Sequence, residues 1–183
     1  MHEINFIECP NEHCQGKLFN RIKHFFGEDG LNITDFSEDL LRWLVYEKKW
    51  INNLTDIYTL EKYKKEWSCI PNFNKHIVSN LLNNIENSKK CSFAEFLSAL
   101  SIPFITKEDA IKIANHFKTY ENFLDSIYFE GNNLLDNALA LNDNQIQSLL
   151  EFDYCEANIL WKIMKYGEKI DYTANYFDMP LRN

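Results

Sequence analysis

Two cysteines near the start of the sequence, Cys9 and Cys14, lie close enough along the chain to bind one metal ion. Two thiolates on a tight turn are suitable ligands for tetrahedral zinc, although two ligands alone do not close a site. His13 and His24 are the nearest further candidates, and the alternative interpretation is a turn that holds no metal. The five cysteines, an odd number in a chain without a secretion signal, predict reduced thiols or metal ligands instead of disulfides.

Four basic residues follow the cysteine pair within one short segment: Lys17, Arg21, Lys23 and His24. A spacing of three and four residues places Lys17, Arg21 and His24 near one face of a helix. The whole chain has a net charge of −8, which is the wrong sign for holding a nucleic acid by bulk electrostatics. A nucleic-acid role therefore needs a local basic face of this kind, and the alternative is an ordinary solvated helix face.

Residue patterns that perform catalysis are not recognisable in the sequence. It has no phosphate-binding glycine loop, no Gly-x-Ser-x-Gly turn and no zinc-protease helix. Cys69, before Ile70 and Pro71, is a candidate nucleophile. No histidine is obviously placed to activate its thiol, so a structural cysteine is the better interpretation. We therefore predict no catalytic residue in this sequence.

The periodicity of apolar residues predicts helices along most of the chain. Residues 77–85 and 110–117 both place apolar side chains at the spacing of one helix face. Thr106 with Asp109 has the pattern of a helix start, and Gly167 has that of a helix end. Five glycines and four prolines in 183 residues argue against a β-rich fold with many tight turns. The sequence predicts an all-α fold after a small irregular N-terminal segment.

The sequence also predicts where the protein resides. No apolar run approaches the roughly 18–20 residues that a membrane span requires. The first residues lack the basic and then apolar pattern of a signal peptide. We therefore expect a cytoplasmic protein with no membrane partner.

A short turn around one apolar residue recurs between the predicted helices. We name its copies turn 1 (residues 33–37), turn 2 (residues 70–74), turn 3 (residues 102–106) and turn 4, a blurred copy at residues 139–142. Their spacing is uneven, at roughly 32 to 37 residues, which favours paired helical hairpins over a regular solenoid.

Residues 9–27 resemble the second half of the zinc finger of bacterial NAD-dependent DNA ligases and the helix that follows it. Leu18, Arg21, His24 and Phe25 stand where that family has the same four residue types. The likeness continues in order: residues 32–38 stand at the family's first helix-hairpin-helix turn, residues 56–58 at its aspartate-leucine-tyrosine stretch and residues 80–89 at its helix after the second hairpin. Residues 99–117 match the third hairpin, and residues 140–152 match the fourth more weakly. It implies three segments: a partial zinc finger with a basic helix (1–27), a tandem helix-hairpin-helix domain (28–155), and a C-terminal helix and tail (156–183).

The resemblance also implies that the turns contact DNA. The family's turn carries glycine, an apolar residue and glycine, because backbone amides must approach a phosphate closely and the turn can require a positive φ. Here other residues replace both glycines: Asp35 and Ser37, Asn72 and Asn74, and Phe104 and Thr106. Asparagine tolerates the left-handed region, whereas an aspartate at turn 1 repels a phosphate. The predicted DNA contacts are Lys17, Arg21, Lys23 and His24 on the first helix, Asn72, Phe73, Asn74 and Lys75 at turn 2, and Thr106 and Lys107 at turn 3.

Two hypotheses follow from this resemblance. In the first, the chain is the non-catalytic second subunit of a split NAD-dependent DNA ligase, as in some bacteriophages, and it grips nicked double-stranded DNA during replication or repair. A partner subunit with the adenylation domain and the OB-fold would use NAD, and its cysteine pair would complete a zinc site with Cys9 and Cys14. In the second, the chain is a ligase-derived helical module repurposed for protein–protein interaction, which the replaced glycines and the acidic charge favour.

Overall fold

The computed structural model describes residues 15–130 and 139–167, and all of the regular elements in these two ranges are helical. The α-helices are α1 (Gln15–Phe26), α2 (Glu38–Arg42), α3 (Lys64–Trp67), α4 (Lys75–Ser88), α5 (Phe93–Ala99), α6 (Lys107–Phe117), α7 (Tyr120–Asp125), α8 (Asp143–Glu151) and α9 (Cys155–Tyr166). A 3-10 helix (Thr55–Tyr63) precedes α3, and single π turns continue α2 (Trp43–Glu47) and α7 (Ser126–Glu130). The predicted all-α class is confirmed.

The helix ends follow local sequence signals. The Thr106 side chain accepts a hydrogen bond from the backbone N–H of Asp109, and the Asp109 carboxylate accepts one from the N–H of Thr106. This reciprocal capping box satisfies two backbone donors that the first turn of a helix leaves free. Gly167 ends α9 in the left-handed conformation, with φ of 65°. Both predicted helix ends are therefore confirmed.

Two aromatic clusters fill the spaces between the helices. The first joins Trp43, Trp50, Tyr63, Trp67 and Phe73, and the second joins Phe93, Phe96, Tyr120, Phe123 and Trp161. The rings of Trp50 and Tyr63 stack with centroids 4.4 Å apart, and Trp67 is fully buried. Such pairs add specific geometry to a large buried apolar area. Trp50, Trp67 and Trp161 are thus core residues, and Trp43 packs against the core.

A carboxylate of α9 connects elements that are distant in sequence. Glu156 binds Arg21 on α1 at 2.6 Å through one oxygen, and its other oxygen accepts a hydrogen bond from the backbone N–H of Leu54 at 2.7 Å. The contact joins the first and last described helices to the segment before the 3-10 helix. Among residues 15–130 and 139–167, no helix combines the length and apolar character that crossing a membrane requires.

Candidate nucleic-acid interface

All four predicted turns share one backbone geometry. A residue with positive φ opens the tip of each turn: Asp35 (69°), Asn72 (73°), Phe104 (62°) and Ala140 (50°). Two residues later stands an extended helix N-cap, whose side chain accepts hydrogen bonds from the first turn of the following helix: Ser37, Asn74, Thr106 and Asn142. The positive φ that glycine usually provides is therefore present in all four turns without glycine.

The middle residue of each turn is apolar and packs inward. These residues are Phe36, Phe73, Ile105 and Leu141, and all four contact the core. Phe73 lies nearly parallel to the Trp43 ring at 6.0 Å and also contacts Trp67. The residues on either side of the middle position are exposed in all four turns. The inward side chain therefore fixes the turn, while its neighbours face the solvent.

Proline shapes turns 2 and 3. The N–H of Phe73 donates to the carbonyl of Ile70 at 3.0 Å, and the N–H of Ile105 donates to the carbonyl of Ile102 at 3.2 Å. Proline at the second position and positive φ at the third is the pattern of a type II β-turn. Proline fixes its own φ and thereby lowers the conformational entropy that the turn loses on folding.

Turn 2 presents a helix N-terminus without a nearby acid. The first turn of α4 contains no acidic residue, and it begins with the exposed Lys75. Asn74 caps the backbone N–H groups of His76 and Ile77 at 2.9 Å each. Ile77 holds the position that closes a capping box, and its apolar side chain offers no acceptor for the N–H of Asn74. The positive end of the α4 dipole is therefore unopposed at this turn.

The opposite end of α4 is compensated from within the fold. The ammonium of Lys165 donates to the backbone carbonyls of Lys89, at 3.0 Å, and of Cys91. The same ammonium lies 4.9 Å from the centre of the Trp161 ring. A cation at a helix C-terminus stabilises the negative end of the dipole. The two ends of α4 thus differ: a cation offsets the negative end of the helix dipole, whereas the first turn has no acidic residue to offset the positive end.

At turn 3, the carboxylate of Asp109 occupies the N-terminal end of α6. Besides the capping box with Thr106, Asp109 accepts a hydrogen bond from the side-chain amide of Gln145 at 2.8 Å, and that amide also donates to the carbonyl of Phe104 at 3.2 Å. Burial of Asp109 acts to raise its pKa, but hydrogen bonds from Thr106 and Lys112 outweigh burial and hold the pKa below its usual range. The carboxylate therefore stays charged and makes turn 3 less receptive to a phosphate.

Turn 1 is more acidic still. Glu38 begins α2 and forms ion pairs with Lys23 at 2.5 Å and with Arg42 at 2.8 Å. These hydrogen bonds lower the pKa of Glu38. Asp35 is exposed and accepts a hydrogen bond from the Asn84 side chain of α4 at 2.8 Å. A phosphate at turn 1 would face both carboxylates.

The predicted basic face of α1 is largely engaged inside the fold. Arg21 binds Glu156, Lys23 binds Glu38, and the His24 ring donates to the carbonyl of Ser98 at 2.8 Å. These contacts hold α1 against α2, α5 and α9. Lys17 is half-buried and forms no ion pair with another residue of the described ranges. As DNA contacts, all four stay predictions.

The predicted turn contacts have different surroundings. At turn 2, Asn72, Asn74 and Lys75 are exposed, whereas the Phe73 ring packs inward, so only its backbone reaches the surface of the turn. At turn 3, Thr106 is taken up by its capping box. Lys107 is exposed, and its ammonium donates to the carbonyl of Glu28 at 3.0 Å.

The predicted zinc ligands, Cys9 and Cys14, lie outside the described residues. Within residues 15–130 and 139–167, no three His, Cys, Asp or Glu side chains come together in a group suited to a metal ion. Zinc therefore stays a prediction.

Two side-chain amides that the sequence patterns did not mark each join a helix to an earlier turn. Asn84 of α4 binds the carbonyl of Thr34 and the carboxylate of Asp35 in turn 1, and Gln145 of α8 binds turn 3. The spacing of Asn142 and Gln145 matches a capping box, which the structure contains, and this local signal was available in the sequence. The contact of Gln145 with turn 3 spans 41 residues and leaves no local signal.

The chain resembles proteins named DNA ligase along most of its length. It is 36% identical to the DNA ligase of Ehrlichia chaffeensis over 148 residues, which are 78% of this chain and 21% of that protein. It is 32% identical to the DNA ligase of Mycoplasmopsis agalactiae over 82% of this chain and 22% of the relative. The DNA ligase of Cytophaga hutchinsonii is 30% identical over 94% of this chain and 25% of its own length.

No protein-family model matches the chain. The relatives nevertheless agree with one another, because all three carry the same name and align with more than three quarters of this sequence. The chain spans between a fifth and a quarter of the length of these curated relatives. It is a homologue of a segment of DNA ligases.

Proposed function

We propose that this chain is the DNA-binding part of a split NAD-dependent DNA ligase, and that it holds nicked duplex DNA through its helix-hairpin-helix turns. A partner subunit with the adenylation domain and the OB-fold carries out adenylyl transfer and sealing. The observation that carries the proposal is the repetition of one turn geometry in a homologue of DNA ligases, with positive φ and a helix N-cap in all four copies.

The geometry supports phosphate binding through backbone amides. A positive φ followed by an extended N-cap places successive N–H groups at the start of a helix, where the dipole also favours an anion. Turn 2 combines this geometry with an exposed Lys75 and a first turn without acid. We therefore assign the strongest phosphate contact to turn 2, and weaker contacts to turn 3.

The first experiment measures DNA binding by the full chain, alone and with its partner subunit. Fluorescence anisotropy with a labelled nicked duplex, repeated over a range of salt concentrations, gives both the Kd and its salt dependence. Lys75→Ala is expected to weaken binding about tenfold and to reduce the slope of log K against log salt by about 1, because one phosphate contact is lost.

Lys162→Ala is the matched control, because Lys162 is an exposed lysine on α9 rather than at a turn. It is expected to leave both quantities nearly unchanged. Equal effects of the two substitutions, or wild-type protein that does not bind the nicked duplex with its partner present, would contradict the proposal.

The partner and the zinc site are tested together. Affinity purification of the tagged chain from its native cell or infected lysate is expected to recover a ligase adenylation polypeptide with about one zinc ion per pair. Metal binding is coupled to assembly because each half of a shared site is weak alone. Cys14→Ser is expected to lower both the zinc content and the recovery of the partner, and unchanged recovery would reject the shared site.

One observation favours the alternative, a ligase-derived module that binds protein. Arg21, Lys23 and His24 are occupied by contacts within the fold, so less basic surface remains for DNA. Under this alternative, the purified chain carries partners unrelated to ligases and the anisotropy assay shows no binding. The same two experiments therefore separate the two functions.

A further inference from the structure

Phe104 has an unusual conformation for its residue type. Its φ is 62°, a region in which a bulky side chain is a genuine outlier. The equivalent positions in the other turns hold Asp35, Asn72 and Ala140, which are small or tolerate this region. Residues held in sparsely populated conformations persist where their surroundings impose them. Turn 3 therefore keeps a phenylalanine where the other three turns keep a smaller side chain.

Packing does not explain this choice, because the ring is mostly in solvent. Phe104 is 67% exposed, whereas Ile105 beside it packs against the core. The turn itself is held rigidly: Gln145 binds the carbonyl of Phe104, and the N–H of Ile105 binds the carbonyl of Ile102. An exposed aromatic ring is thus presented in a fixed position at the tip of the turn.

A cation lies close to Phe104 in sequence. Lys107 begins α6 three residues after Phe104, and both residues are exposed. One N–H of the Lys107 ammonium donates to the carbonyl of Glu28, and an ammonium has two further donors for a phosphate. An apolar side chain presented with a lysine is a suitable combination for duplex DNA, in which the cation meets a phosphate and the apolar group enters between base pairs. The carboxylate of Asp109 disfavours close phosphate approach to the helix end, so turn 3 is better suited to base contact than to amide–phosphate contact.

The geometry points to Phe104 as an aromatic wedge that enters the minor groove of the bound duplex and partly unstacks one base step. This inference rests on the proposed function and extends it, since it assigns different tasks to two of the turns. Turn 2 holds phosphate, and turn 3 contacts bases.

The test compares substitutions at Phe104 in the full chain with its partner, using the nicked duplex. Phe104→Asn introduces the residue that turn 2 has at this position, and it is expected to weaken binding about tenfold because aromatic contact with bases is lost. Phe104→Tyr keeps the ring and is expected to bind like the wild type. Phe129→Asn is the matched control, because Phe129 is 79% exposed and belongs to none of the four turns.

Thermal stability provides an independent readout. Phe104→Asn is expected to raise the Tm, because asparagine accepts positive φ more readily than phenylalanine and no buried ring is lost. A residue that served the fold would lose stability together with affinity. A lower Tm for Phe104→Asn, accompanied by weaker binding, would overturn the inference.

A fluorescent base analogue locates the contact. Duplexes with 2-aminopurine at successive steps beside the nick are expected to brighten at one step with the wild-type chain and to stay dim with Phe104→Asn. Failure of the wild type to bind any duplex overturns the proposed function. Wild-type binding that Phe104→Asn leaves unchanged overturns only the wedge. Loss of partner binding with normal DNA binding also overturns it, because Phe104 would then be a protein contact.

Discussion

Turns 2 and 3 follow the same backbone path but present different chemistry. Both have a proline, a residue with positive φ, an inward apolar residue and a polar N-cap. Both turns are followed by an exposed lysine, Lys75 and Lys107. They differ in that turn 2 has the apolar Ile77 at the position that closes a capping box, whereas turn 3 has Asp109 there and exposes Phe104. The shape of such a turn and the chemistry of its surface are therefore set by different residues.

The features that turns 2 and 3 share explain how these two turns dispense with glycine. Proline fixes one torsion, the inward side chain contributes buried apolar area, and the N-cap satisfies helix donors. Together these offset the cost of a positive φ at a residue with a side chain, which is about 1–2 kcal/mol. The position with positive φ can therefore hold residues as different as Asn72 and Phe104.

We expect the largest loss of stability when the inward apolar residue, which both turns have, is removed. Phe73→Ala is expected to lower the free energy of unfolding by about 3 kcal/mol, because the ring stacks on Trp43 and contacts Trp67. Ile105→Ala is expected to cost about 2 kcal/mol, since a smaller half-buried side chain is removed. Urea unfolding followed by tryptophan fluorescence measures both. A loss below about 1 kcal/mol for Phe73→Ala would show that the inward residue does not fix the turn.

A second substitution converts turn 2 toward turn 3. Ile77→Glu places a carboxylate at the position that closes a capping box with Asn74, where it can accept from the backbone N–H of Asn74 and adds negative charge. We expect the Kd for nicked duplex to rise about tenfold while the stability changes by about 0.5 kcal/mol or less.

Ile77→Gln is the control for this conversion, because it offers the same hydrogen bond without the charge. It is expected to weaken DNA binding less than Ile77→Glu does. If Ile77→Glu binds the nicked duplex as well as the wild type, the open helix N-terminus at turn 2 is not a phosphate contact.

The smallest expected effect is a difference in pH dependence. The pKa of Asp109 is lowered in the folded chain, so its capping box contributes stability above the ordinary pKa of aspartate and loses it as the pH falls through the folded value. Asp109→Asn is therefore expected to cost about 1 kcal/mol at neutral pH and progressively less from about pH 4 downward. Asn74→Ala at turn 2 removes a neutral cap, and its cost of about 1 kcal/mol is expected to be the same at neutral and acidic pH. Denaturant unfolding measures both costs. If the costs of Asp109→Asn and Asn74→Ala changed with pH in the same way, the charged capping box would not account for the pH dependence.

Much of the fold was predictable because its signals are local. Helix periodicity, the Thr106 and Asp109 pair and Gly167 each act within a few residues, and the structure contains all of them. The turns were found from the repeated apolar residue beside proline or a polar cap. Even the blurred turn 4 has the common geometry, with φ of 50° at Ala140.

What the sequence did not predict depends on contacts between distant residues. The sequence did not predict that Arg21 binds Glu156 across 135 positions or that His24 binds the carbonyl of Ser98 across 74. The hydrogen bond from the Gln145 side chain to the carbonyl of Phe104 also joins residues that are distant in sequence. The positive φ at Phe104 was not predictable for another reason. Phenylalanine disfavours this region, and only the surrounding structure imposes it.

The Lys165 ammonium offsets the negative end of the α4 dipole, so the helix leaves a local positive end at turn 2. Salt limits the attraction of this positive end for an anion to about 10 Å at 0.1 M ionic strength. At larger distances, the net charge of −8 repels a polyanion. Under the proposed function, the encounter rate with a nicked duplex would therefore depend on the partner that delivers the DNA, and the lifetime of the complex would depend on the turns of this chain.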